Sequence, residues 1–179
     1  MAKKKASVSV FNWVVLGVLV IALVLGIVGL VIDQWTTTEE FMGKTGDVSF
    51  STYVEQANDY MELKGELGDL GDSDELGLYD KMVGMVAFAI ITIVLVAIAT
   101  VAYALKLFLK IGILRWVAIL AGILAIVSAL ITIILTATFS QVDVGDESVN
   151  AIKVGAGAAL LAVGGFLGGA AGASAIVKK

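Results

Sequence analysis

The 179-residue chain contains no cysteine, no histidine and no proline. Without cysteine it can form neither a disulfide nor a thiolate metal site. Without histidine there is no imidazole to ligate haem or zinc, and the commonest general base is missing. Without proline no helix carries a built-in kink. No Asn-x-Ser/Thr triplet occurs, so N-glycosylation is not expected. Charge is also unevenly spread: the segment Asp33 to Lys81 holds 13 of the 16 acidic residues, while elsewhere more than twenty residues at a time carry none.

What fills the remainder is apolar. Hydrophobic residues make up 59% of the chain, against about 45–50% in a soluble domain. The excess falls in four blocks, which marks an integral membrane protein built as one domain over residues 1–179. The blocks cover about 11–32, 82–105, 113–139 and 151–177. At about 1.5 Å per residue each can cross a hydrocarbon layer of about 30 Å. Lys3, Lys4 and Lys5 give the first block the start of a signal peptide. Its 22 residues exceed the usual length of such a segment, and it ends in Ile-Asp-Gln-Trp without a small-residue cleavage site, so it reads as a retained span. The links 106–112 and 141–150 are short and require antiparallel neighbours.

Charge orients the four spans. Lys3, Lys4, Lys5, Lys106, Lys110, Arg115, Lys178 and Lys179 fall on one side, and every acid falls on the other. Basic short loops stay cytoplasmic. The expected protein is therefore a multi-pass plasma-membrane protein with both termini inside. Residues 33–81 then form an acidic extracellular loop, and 141–150 a short second one. Trp13, Tyr103 and Trp116 lie near the inner boundary, and Trp35, Tyr79 and Phe139 near the outer one, as amphipathic rings prefer.

The expected fold is an all-α membrane protein, a four-transmembrane-helix bundle with a small extracellular α/β cap formed by the first outer loop. Within that loop the alternation of Val48 to Tyr53 predicts a strand and Val54 to Leu67 a helix. Leu67 to Asp74 is a turn-rich acidic connector. Asp69, Asp72, Asp74 and Glu75 offer carboxylate oxygens to calcium. Their spacing lacks the helix–loop–helix calcium signature, and a solvated acidic loop is the preferred reading.

No Asp, Glu, Lys or Arg lies in the middle of a span. Pumps, proton relays and voltage sensors need ionisable groups at that depth. Span four carries Gly155, Gly157, Gly164, Gly165, Gly168, Gly169 and Gly172. The rows Gly164–Gly168–Gly172 and Gly165–Gly169–Ala173 make two flat stripes on which another helix can approach closely. They serve either the chain's own bundle or lateral self-assembly. Ala118, Gly122, Ala125 and Ala129 give span three a matching small face. Thr92, Thr100, Ser128, Thr132 and Thr136 are expected to bond the carbonyl one turn back. There is no phosphate-binding glycine loop and no nucleophile–base pair.

The plan of four spans, a long first outer loop and a short second one resembles the claudin and peripheral-myelin-protein superfamily. Trp35 follows the first span where claudins carry a tryptophan at the start of their outer sheet. Gly77-Leu78-Tyr79 is similar to the family's Gly-Leu-Trp. Arg115 with Ala121-Gly122-Ile123 and Ser128-Ala129-Leu130-Ile131 resembles the third claudin span, and Gly157-Ala158-Ala159-Leu160 with Gly164-Gly165 the fourth. The family's paired loop cysteines are absent. The resemblance implies a left-handed bundle with a β-rich cap, and a role in adhesion, lateral assembly or accessory regulation.

The function expected is thus non-enzymatic: a structural, adhesion or lateral-assembly protein without a cofactor. The alternative is an accessory scaffold subunit of a larger membrane enzyme or transport complex, and after it a small channel or transporter. Expected partners are membrane lipid, further copies of the chain or other membrane proteins, and extracellular protein or cations at the acidic loop. The negative outer charge speaks against nucleic acid.

Overall fold

A computed structural model of the chain describes residues 9–32, 35–41, 44–67, 74–109, 111–139 and 152–176. Helix α1 spans Val10–Val31, α2 Phe50–Leu67, α3 Asp74–Leu109, α4 Gly112–Phe139 and α5 Ala156–Ala173. Three strands, β1 (Trp35–Phe41), β2 (Lys44–Val48) and β3 (Ile152–Val154), form one sheet in the order β2-β1-β3.

Helices α1, α3, α4 and α5 are long and apolar enough to cross a membrane and pack as a four-helix bundle. Around it α1 lies against α5, α5 against α4, and α4 against α3, with lesser contacts of α3 to α1 and α5. The interior is made of small residues: Ala99, Ala118, Ala125 and Ala129 are completely buried. The exterior is large and aliphatic, with Val101, Leu120 and Ile134 each 58–59% exposed. A water-soluble bundle would hide those side chains. In hydrocarbon the solvent is as apolar as leucine, so nothing drives them inward, and packing is won by backbone proximity. Tyr103, Leu19 and Met82 are the largest side chains fully enclosed.

Helix α3 has 36 residues, about 54 Å of helix, far more than a bilayer requires. Its apolar part begins near Asp80, so the first turns project beyond the bundle. There α2 packs on it, and the Tyr60 hydroxyl donates to Asp80 Oδ1 at 3.2 Å. The predicted strand over Val48 to Tyr53 is replaced by a junction. Val48 closes β2 and Phe50 opens α2. Between them Ser49 Oγ accepts from the Thr52 N–H at 3.4 Å and lies 3.1 Å from Thr52 Oγ1. A serine oxygen turned back onto the third helical N–H is a cap, and it overrides the local alternation.

The fourth spanning helix starts at Ala156 rather than Ala151, because Ile152–Val154 is a strand. Its residues pair antiparallel with β1 in the register Trp35–Val154, Thr36–Lys153 and Thr37–Ile152. On its other edge β1 pairs with β2, again antiparallel, with Trp35 opposite Val48. The sheet therefore takes its third strand from the segment before α5, outside residues 33–81.

Candidate functional site

Helix α5 is the element on which the other three spanning helices close. Gly157, Gly164, Gly165, Gly168, Gly169 and Gly172 are all buried in it. A methyl group built on Gly164 would stand 2.7 Å from the Ala22 carbonyl oxygen and 2.9 Å from the Gly26 nitrogen of α1. One on Gly29 of α1 would meet the Gly157 oxygen and the Leu161 nitrogen, both at 2.8 Å. Here two backbones touch. On the next face of α5, a methyl on Gly165 would lie 2.7 Å from both the Ala129 methyl of α4 and the Thr92 methyl of α3. A methyl on Gly122 of α4 would stand equally close to the Gly169 oxygen and the Ala173 nitrogen.

The two stripes divide only in part between α1 and α4, for Gly168 meets the Val96 methyls of α3 before the Ala22 methyl of α1. Gly172 meets the Ala118 oxygen and Gly122 of α4, together with Ala99 of α3, rather than continuing along α1. Four residues turn an ideal helix about 40° beyond a full circle, so a row of three such positions drifts by about 80°. Seven residues fall only about 20° short of two turns, which sets Gly172 beside Gly165 instead of Gly164. Small residues of α1 complete the seam. Ala22, Gly26 and Gly29 recur at four- and three-residue spacing, a signal present in the sequence but overshadowed by the denser glycine pattern of α5. The glycines of both stripes are buried within the chain. Gly155 precedes α5 as its N-cap residue.

Beside the seam lies a knot of hydroxyls. Thr92 Oγ1 is 2.7 Å from the Phe88 carbonyl oxygen and 2.9 Å from Ser128 Oγ. Ser128 Oγ in turn is 2.9 Å from the same Phe88 oxygen. Two protons are shared among three oxygens, and two of the three contacts cross between α4 and α3. Thr100 and Thr132 bond the carbonyl four residues back, as expected of hydroxyls in apolar helices. Ser128 departs from that rule and joins two helices.

Charged side chains gather at one end of the bundle. Lys106 in the last turn of α3 sets its ammonium 4.8 Å from the Tyr103 ring centroid. The Tyr103 hydroxyl donates to Asn12 Oδ1 of α1 at 3.0 Å. Arg115 of α4 donates from Nε to the Ala175 carbonyl at 3.0 Å and from Nη2 to that of Ile176. The start of α1 is thereby tied to the end of α3, and the start of α4 to the turn that follows α5. The opposite end carries the sheet, α2 and the acidic start of α3.

Of the remaining candidate residues, Trp35 opens β1, whereas Gly77, Leu78 and Tyr79 lie within the first turns of α3. Asp69 and Asp72 lie outside the described residues, and Asp74 and Glu75 begin α3. Among the described residues no group of three or more carboxylates converges.

Four apolar helices of spanning length, small residues within and large aliphatic ones without, define a multi-pass integral membrane protein. No family model, no curated protein and no solved structure matches the chain.

Proposed function

We propose that the protein is a non-enzymatic, claudin-like structural protein of the plasma membrane. The bundle serves as a rigid anchor, and the acidic end, facing outward, makes adhesion or lateral contacts with another copy of the chain, an extracellular protein or cations. The observation that carries this reading is how the spanning helices use their polar groups. Thr92, Thr100, Ser128 and Thr132 bond backbone carbonyls or one another, and α5 meets α1 and α4 backbone to backbone. Such a bundle is suited to hold a fixed shape rather than to pass a substrate.

Two placements add support. Trp35 stands at the start of β1, the position that the claudin resemblance implies. The basic and acidic groups lie at opposite ends of the helices, the arrangement by which basic loops are retained in the cytoplasm. The surface left for recognition is then the acid-rich end, where Glu55, Asp59 and Glu62 on α2 are exposed.

The test is mild solubilisation from native membrane followed by mass measurement. A stable species made of this chain alone supports the reading. Obligatory co-isolation with a different membrane protein, lost on detergent exchange together with activity of that partner, would replace it with the accessory-subunit role. Binding through the acidic end should weaken as salt rises, because exposed charges are screened over about 10 Å at 0.1 M. Affinity independent of salt would contradict an electrostatic contact.

A further inference from the structure

Among the described residues, the basic end of the bundle carries Lys106 and Arg115 with no carboxylate from α3 or α4 beside them. Lys106 is fixed from below: Tyr103 is fully buried and bonded to Asn12, and the ammonium rests over its ring at 4.8 Å. Arg115 spends two donors on main-chain carbonyls of residues 175 and 176, which satisfies hydrogen bonds and leaves its full charge. Lys106 in the last turn of α3 and Arg115 in the first turn of α4 flank the same short link. No acid follows Asp80 until Asp143, so neither α3 beyond its start nor α4 supplies a carboxylate at this end.

The surroundings are apolar and uncovered. Phe108 and Ile113 are each 67% exposed and Trp116 is 60% exposed, on the turns that carry Lys106 and Arg115. A soluble anion would have to sit among those lipid-facing side chains. A lipid supplies a phosphate for the cations and acyl chain for those side chains.

We propose that the turn from α3 into α4 binds an anionic phospholipid, its phosphate held between Lys106 and Arg115 and its acyl chains lying along Phe108, Ile113 and Trp116. Basic residues at the end of a spanning helix attract anionic headgroups, each strengthening binding about fivefold. The inference depends on neither the adhesive role nor the side of the membrane on which this end lies.

The experiment uses the full chain with Trp13→Phe and Trp35→Phe, which leaves Trp116 as the single tryptophan. It is reconstituted in phosphatidylcholine vesicles containing either brominated phosphatidylglycerol or brominated phosphatidylcholine as quencher. The expected result is stronger quenching of Trp116 by the anionic lipid. Lys106→Gln should cut that preference about fivefold, and Lys106→Arg should retain it. Inorganic phosphate at matched ionic strength should leave it intact. Equal quenching by the two lipids, or a preference unaltered by Lys106→Gln, would overturn the proposal. Loss of the preference to inorganic phosphate would overturn it too, in favour of a site for a free anion.

Discussion

At the scale of single residues, the same substitution should have opposite effects at two glycines. Gly164→Ala drives a methyl group against the Ala22 oxygen and the Gly26 nitrogen, backbone atoms that cannot rotate away. The expected loss is about 1–3 kcal/mol, the usual range for overpacking. Gly17→Ala in α1 meets no atom within 4 Å. It should be neutral or stabilise by about 0.5–1 kcal/mol through the gain in helix propensity. Thermal unfolding in lipid discs measures both, and equal shifts would remove the close α1–α5 contact from the account. Ser128→Ala breaks the bond from α4 to the Phe88 carbonyl while Thr92 continues to satisfy that oxygen. The expected cost is about 1 kcal/mol, as for other hydrogen bonds between spanning helices. A loss several times larger would show that the knot does more than join two helices. The glycines of α5 were legible in the sequence because nothing else explains so many in an apolar helix. What each one touches was not, since periodicity gives a face but names no neighbour. Gly172 shows the difference, having the spacing of one stripe and the partner of the other.

At the scale of elements, hydropathy located the four spans because long uncharged runs have no stable alternative to helix in lipid. It failed at Ile152–Val154, where a strand and the start of a helix are equally apolar and only pairing with β1 separates them. Nor was the β1–β2 hairpin read from Thr36, Thr37 and Thr38, although three β-branched residues in a row favour extended backbone. At Ser49 the sequence held two conflicting signals, alternation and a cap, and the cap prevailed. The junction of α2 with α3 is open to test. Tyr60→Phe removes the hydroxyl that donates to Asp80, a bond worth about 1 kcal/mol. Hydrogen exchange in α2 should accelerate while the melting of the spanning helices stays unchanged. A fall in global stability would mean that α2 is part of the bundle's core rather than an element docked on it.

At the scale of the whole molecule, an even number of crossings puts Lys106 and Arg115 at one end and every described acid at the other. The termini of α1, α3, α4 and α5 meet around Asn12, Tyr103, Lys106 and Arg115, and the sheet and α2 lie at the far end. The absence of cysteine makes this directly measurable, because an introduced thiol is the only one in the chain. Glu55 is exposed on α2, and Gly112 is exposed at the start of α4 with nothing within 4 Å of an added side chain. Glu55→Cys and Gly112→Cys, each alone, are exposed on intact cells to a thiol reagent that cannot cross membranes. Labelling is expected at position 55 from outside and at position 112 only after permeabilisation. Labelling of both positions in intact cells would contradict this topology.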